Sequence, residues 1–307
     1  MTPQPLSEEE NQRIFQNNIL RHKAKQLLPS RAERPTLLYV AGQSAAGKST
    51  TIQTAKREMN RVHGAVLLIQ RDLLRDYFPG YKAQLREHGP EGYKFSEADT
   101  WKWYEKLKTA AIECRAAVIL ESTFRKTADI LADVARFTQA GYRVEARVLA
   151  VHPEITKSSV FLRYEEEIAN TGVGRFVDLQ TQAEAIDGLQ KTVSELEDQR
   201  LIEKISVRTR EGKILEEAFP ARDKGDAATT LVMAHGRLTE EIVAQADSNW
   251  CRVFELMEAR NAPQLEMHVA TREYQRMLDA AKRARAVMDK CENARRNAQN
   301  RGYRRGV

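Results

Sequence analysis

The sequence predicts an α/β fold, a parallel sheet with helices on both faces, followed by a mainly helical C-terminal extension with a basic tail. Three observations predict it. Short, nearly all-apolar runs alternate with longer stretches of helical periodicity, as expected of strands buried on both faces and joined by crossover helices. The first run, Thr36-Leu37-Leu38-Tyr39-Val40-Ala41, feeds a glycine-bearing loop and then a helix-forming stretch. Past residue 220 the pattern changes, and helical sequence runs from about Thr239 to the end.

At the N-terminus, Ser7-x-x-Glu10 reads as a capping box, and Ile14, Phe15 and Ile19 follow at helical spacing. That helix fades before Pro29, with residues 30–35 as a linker. Five strands are expected: Thr36–Ala41, Ala65–Ile69, Ala117–Leu120, Val144–Val151 and a weaker one at Lys204–Val207. Helices are expected from Ser49 to about Val62, from Trp101 to Cys114, and from Asp129 to Ala140, where Gly141 stops the chain. Ile186, Leu189, Val193 and Leu196 step by 3, 4 and 3, an amphipathic stripe read as core packing. The turn-rich run Pro220-Ala221-Arg222-Asp223-Lys224-Gly225 marks a boundary, dividing the chain into 1–219 and 220–307.

Composition narrows the function classes. With 30% charged and 42% hydrophobic residues, the 307-residue chain is globular and not disordered. No apolar run approaches the roughly 18 to 20 residues that span a bilayer, so no membrane role is expected. The start, with Ser7-Glu8-Glu9-Glu10, lacks the basic and apolar regions of a signal peptide. Cys114, Cys251 and Cys291 are far apart, without metal-ligand spacing, which fits a reducing, cytoplasmic setting. The net charge of +6 sits in the tail, where residues 271–307 hold 11 Lys/Arg against 4 Asp/Glu. Such a tail offers a surface to nucleic acid or an acidic partner. A solvated helix face is the preferred reading, and nucleic acid is not favoured.

The chemistry begins with Gly42-Gln43-Ser44-Ala45-Ala46-Gly47-Lys48-Ser49, followed by Thr50. A Gly-x4-Gly-Lys-Ser run between a strand and a helix is a phosphate-binding P-loop. Glycines let the backbone wrap a phosphate, successive N–H groups point inward, and the helix N-terminus adds a favourable dipole. Lys48 supplies charge to the β- and γ-phosphates of ATP, and the Ser49 hydroxyl can ligate Mg²⁺. The fold class is thereby narrowed to a P-loop nucleotide-kinase-like sheet.

Phosphoryl transfer also needs a proton acceptor and positive charge on the transferring oxygens. Ligands of α/β sheets sit beyond the carboxyl ends of strands. Asp72, in Gln70-Arg71-Asp72, and Glu121, in Leu120-Glu121-Ser122-Thr123-Phe124-Arg125, both stand there. Their bland readings are a helix N-cap and a structural ion pair. Arg163 and Arg175 flank Glu165-Glu166-Glu167 in the position of a phosphate-clamping lid, where isolated arginines would otherwise form surface ion pairs.

Taken in order, these motifs resemble the zeta toxins of bacterial toxin–antitoxin systems, over the span from the N-terminal helix to about residue 215. The matches are the loop Gly42–Ser49, Asp72 ahead of Phe78-Pro79, Glu121-Ser122-Thr123-Phe124-Arg125, Arg163-Tyr164-Glu165, and Arg175. Ser122 stands where the family usually has glycine, and Phe124 is bulkier than in some relatives. The resemblance implies an ATP- and Mg²⁺-dependent kinase that phosphorylates a hydroxyl of UDP-N-acetylglucosamine and so blocks cell-wall precursor use. It implies Asp72 as base, with Lys48, Arg163 and Arg175 on the phosphoryl group. Glu121, Thr123 and Arg125, with Asp72, would hold the acceptor. It also implies a small helical antitoxin as partner. Alternatives are a kinase for another small acceptor, such as a dinucleotide, and a nucleic-acid-associated NTPase. The P-loop chemistry is complete by residue 215, so a chain ending near Pro220 is expected to retain nucleotide binding and measurable kinase activity, with some loss of stability because apolar residues from Ile242 to Met257 pack on the body.

Overall fold

A computed structural model describes residues 5–222 and 225–303, with side chains through 287 and at 290. Asp223 and Lys224 of the expected boundary turn lie outside the described residues, as do Arg304 and Arg305 of the tail. The strands are β1 (Thr36–Ala41), β2 (Val66–Ile69), β3 (Ala117–Ser122), β4 (Arg143–Leu149), β5 (Lys204–Arg208) and β6 (Ile214–Ala218), in the order β2-β3-β1-β4-β5-β6. The first five are parallel, and β6 returns antiparallel to β5. The expected five-stranded sheet is therefore six-stranded. β6 escaped the sequence reading because it is an edge strand: Ile214, Leu215 and Glu217 are exposed, so it lacks the apolar run that marks the central strands.

The helices are α1 (Glu8–Ile14), which widens into a π-helical turn over Phe15–Leu20, α2 (Arg21–Lys23), α3 (Lys48–His63), α4 (Arg71–Leu74), α5 (Tyr81–His88), α6 (Glu97–Glu113), α7 (Thr127–Gln139), α8 (Pro153–Thr171), α9 (Leu179–Asp198), α10 (Ala227–Gly236), α11 (Glu240–Ala259) and α12 (Gln264–Tyr303). Ser7 caps α1 as read, its Oγ accepting from Glu10 N at 3.1 Å, while the Glu10 carboxylate pairs with Arg13. Alternation along β1 sets the two layers. Leu38 and Val40 face α3, meeting Ile52, Ala55 and Met59. Leu37, Tyr39 and Ala41 face the larger core with Trp103, Leu107, Val134, Phe137, Leu189 and Val193 from α6, α7 and α9. The amphipathic stripe on α9 is thus core packing, as expected. Among the described residues no helix is long and apolar enough to cross a membrane.

The C-terminal helices are packed onto the sheet domain. Glu197 is buried and accepts from Ala227 N at 2.9 Å and Ala228 N at 3.0 Å, capping the start of α10 with a charge of the favourable sign. Helix α11 lies along α8, where Trp250, Val253 and Met257 enclose Phe161 together with Ala270 and Met277 of α12. The Phe161 and Trp250 rings are 4.9 Å apart. Arg260 grips Glu165, which is 1% exposed, through two hydrogen bonds of 2.6 and 2.9 Å.

This packing sets the stability cost for a chain ending near Pro220. Such a chain strips the cover from Phe161 and leaves Glu165 without its cation. Each large apolar side chain returned to water costs about 1.5–3 kcal/mol, and the truncation uncovers several at once. Truncation is expected to lower the thermal midpoint by well over 10 °C or to abolish cooperative unfolding, as calorimetry will read. The apolar residues between Ile242 and Met257 pack on the body as the sequence predicts, against Phe161 of α8.

Candidate active site

The phosphate loop joins β1 to α3. Gly47 has φ of 88° and precedes Lys48 at the helix start, a left-handed conformation that glycine adopts without strain. Arg210, from the turn between β5 and β6, passes over this glycine, and a Cβ there would lie 3.0 Å from Arg210 Cγ. Gln43 is fully buried and donates to Val151 O at 2.6 Å, tying the loop to the end of β4. Lys48 is also buried and donates to Gly42 O at 2.8 Å and Gln43 O at 3.0 Å, with Glu121 at 3.7 Å. Burial pushes its ammonium below the usual lysine range, against the pull of Glu121 and Asp72.

These elements border one cavity of about 760 Å³ at the carboxyl end of the parallel strands. Ser44 to Ser49 form its floor on one side, and Asp72, Glu121, Thr123, Arg125, Arg163 and Arg175 also line it. Gly42, Gln43 and Thr50 stand off the wall: Gly42 and Gln43 act through their carbonyls on Lys48, and Thr50 is exposed one residue beyond.

Asp72, on α4, is half-exposed and forms a two-pronged pair with Arg175 at 2.8 and 2.6 Å, with Arg75 Nε 3.6 Å away. It is therefore not an N-cap of α4. Burial pushes the carboxyl up, but Arg175 and then Arg75 and Arg71 outweigh it and hold it well below the usual carboxylate range. Arg175 is held above the ordinary arginine range by the same pair, although burial opposes it. Glu121 closes β3 and accepts from Gln70 Nε2 at 2.5 Å. Arg163 lies on α8, and its buried Nε has no hydrogen-bond partner among the described residues. Burial and then Arg175 push its guanidinium below the usual range. Two arginines crowded beside a phosphate loop, one with an open donor, form a receptor for a polyanion.

The Asp72–Arg175 pair has a pH signature. A carboxylate with a depressed folded pKa stabilises the fold fully above its unfolded value, and the contribution is lost as pH falls through the folded value. Arg175→Ala is expected to destabilise the protein by a constant amount above about pH 5, with the gap from wild type closing below about pH 4. Paired denaturant titrations across pH 3–8 check this.

The segment after β3 has an unusual build. Phe124 has φ of 56°, a costly conformation for an aromatic residue, and its ring is fully buried edge-on to Tyr39 at 5.1 Å. Its bulk therefore fills the core and leaves the cavity untouched. Ser122 lines the cavity, and its Oγ accepts from Phe124 N at 3.0 Å, fixing that turn. Helix α9 braces the segment from behind. Thr192 donates to Phe124 O at 2.9 Å, and a Cβ on Gly188 would stand 2.2 Å from Arg125 O, so only glycine allows this approach. Arg125 is 3.5 Å from Glu184.

Farther from the loop the cavity is walled by Trp101, Tyr104, Lys108 and Asp133. Lys108 and Asp133 form a buried pair at 2.7 and 2.8 Å, and Arg71 lies 4.6 Å over the Trp101 ring. None of these was singled out in the sequence, nor were Ser159, Arg210 and Asn249 on the phosphate side. Arg210 carried a usable signal, since it follows β5 at the carboxyl end, as Asp72 follows β2 and Glu121 stands at the end of β3. Among the described residues no three His, Cys, Asp or Glu side chains cluster to hold a metal. The Ser49 hydroxyl, exposed on the cavity floor, fits Mg²⁺, which takes one or two protein ligands and completes its shell with phosphates and water.

Comparison with known proteins agrees with the fold. The sequence profile described as Zeta toxin matches residues 19–217. Toxin PezT of Streptococcus pneumoniae serotype 4 (strain ATCC BAA-334 / TIGR4) is 26% identical over 182 residues, 59% of this chain and 70% of PezT. The fold is similar to a chain solved in the PezAT chromosomal toxin–antitoxin system of Streptococcus pneumoniae, with a TM-score of 0.70 and 21% identity over 83% of this chain and 99% of that one. It is also similar to a chain in the AvrRxo1-ORF1:-ORF2 complex solved with ATP, with a TM-score of 0.54 and 11% identity over 82% and 86% of the two chains. From the N-terminal helix to β6, this chain is a member of the zeta toxin family.

Proposed function

We propose that the protein is an ATP-dependent kinase acting as the toxin of a toxin–antitoxin pair, and that its acceptor is a hydroxyl of UDP-N-acetylglucosamine. One observation carries the reading: Lys48, Asp72, Glu121, Arg163 and Arg175 come from five separate segments and converge on one cavity at the phosphate loop. That constellation fits transfer to an alcohol better than a nucleotide-driven switch, because the carboxylates of Asp72 and Glu121 share the cavity with the phosphate loop.

In this mechanism the loop amides and Lys48 receive the β- and γ-phosphates, for which Lys48 exchanges the carbonyls of Gly42 and Gln43. Ser49 would hold Mg²⁺, which supplies charge neutralisation on the phosphate oxygens. Arg163 and Arg175 turn to the transferring group. Arg175 must leave Asp72 to do so, and its departure restores basicity to the carboxylate just as the donor is seated. Asp72 then takes the proton of the attacking hydroxyl, while Glu121, Thr123 and Arg125 orient the acceptor. Residues 1–219 form the kinase unit and 220–307 a helical extension that buttresses it. A small helical antitoxin would restrain the enzyme.

Ser122 in place of glycine motivates a second reading, a kinase for another nucleotide or dinucleotide. The protein should be incubated with ATP, Mg²⁺ and a panel of nucleotide sugars and dinucleotides, and the products identified by mass spectrometry. A product 80 Da heavier than UDP-N-acetylglucosamine is expected. Phosphorylation of a dinucleotide instead would favour the second reading.

A further inference from the structure

The phosphate side of the cavity holds three polar residues that the catalytic scheme leaves unused, from three distant segments. Ser159 lies on α8, Arg210 on the turn after β5, and Asn249 on α11 of the C-terminal extension. Asn249 Nδ2 donates to Ser158 Oγ at 2.9 Å and to Ser159 Oγ at 3.1 Å. Arg210 Nη1 also donates to Ser159 Oγ, at 3.4 Å. A hydroxyl has two acceptor positions and one proton. Both acceptor positions of Ser159 are thus engaged, and among the described residues its own proton has no acceptor. Ser158, by contrast, spends its proton on Ile155 O at 3.0 Å. Arg210 has no carboxylate within ion-pair distance among the described residues, and its side chain lies across Gly47 of the phosphate loop.

Ser159 and Arg210 thus have only donors left to offer, and with an unneutralised guanidinium above a phosphate loop they favour a ligand that accepts hydrogen bonds and carries negative charge. We propose that Ser159 and Arg210 are a second phosphate-contact set for the donor nucleotide, and that Asn249 is a positioning residue that turns the Ser159 proton toward it. This rests on the kinase reading above and extends it. The C-terminal extension takes part in donor binding through Asn249.

The test is calorimetric titration of the full-length protein with the non-hydrolysable analogue β,γ-imido-ATP, with Mg²⁺, together with steady-state kinetics. Arg210→Ala is expected to weaken binding about tenfold or more and Ser159→Ala about five- to tenfold, as for lost hydrogen bonds to a charged group. Arg210→Lys should fall between wild type and Arg210→Ala. The acceptor KM and the melting temperature should not move. Asn249→Ala should weaken binding about threefold, and Asn249→Asp more, because a carboxylate cannot donate and repels phosphate. A purely structural Asn249 would give the same loss in both variants and for ADP and AMP alike. The proposal predicts instead that the Asp penalty grows from AMP to ADP to the ATP analogue. If Arg210→Ala and Ser159→Ala bind like wild type while Lys48→Ala does not, this inference is overturned and the kinase reading stands. If Lys48→Ala also binds like wild type, the kinase reading itself fails.

Discussion

Asp72→Asn is expected to lower turnover by about 10²–10⁴-fold while leaving ATP affinity within a few-fold of wild type. The amide keeps the shape of the side chain but cannot take the acceptor's proton, and a positioned base contributes about that factor. Arg175 loses its ionic partner in this variant and is freer to meet phosphate, so nucleotide binding should if anything tighten. The same variant, expressed without an antitoxin, should permit growth where wild type arrests it. Retained activity and toxicity would move the base elsewhere, and Glu121 is then the next carboxylate on the cavity wall.

Lys48→Ala is expected to cost about 10²–10³-fold in kcat, comparable to removing one preorganised donor from a developing charge, and to weaken ATP binding as well. The fold should survive. Lys48 reaches only the carbonyls of Gly42 and Gln43 and one edge of Glu121, and no core contact depends on its ammonium. Circular dichroism and a kinase assay read the two outcomes separately. Activity within about tenfold of wild type, roughly 1.4 kcal/mol of barrier, would remove Lys48 from the chemistry.

The central strands were legible because strands buried on both faces must be apolar throughout, as Leu37 to Ala41 are. β6 was not, since an edge strand is free to carry Glu216 and Glu217. The phosphate loop was legible because its glycines, lysine and serine are required at fixed spacing. Asp72 was legible from its place just past β2 and Glu121 from its place at the carboxyl end of β3. The inward turn of the Phe124 ring was not legible, because a positive φ in an aromatic residue has no mark in sequence. That Ile242 to Met257 pack on the body was legible from their apolar residues, but the partners were not, because they depend on long-range packing. Trp250 meets Phe161 and Arg260 meets Glu165 across some 90 residues, and neither pairing is visible in local periodicity.

The central claim is transfer of the γ-phosphoryl group of ATP to a sugar-nucleotide hydroxyl within the cavity that joins Lys48 to Asp72. The most direct measurement follows radiolabel from γ-labelled ATP with and without UDP-N-acetylglucosamine, for wild type and Asp72→Asn. The account predicts label in the sugar nucleotide with wild type only, and little release as inorganic phosphate when the acceptor is absent. Release of labelled phosphate at one rate with or without the acceptor, unchanged in Asp72→Asn, would contradict it.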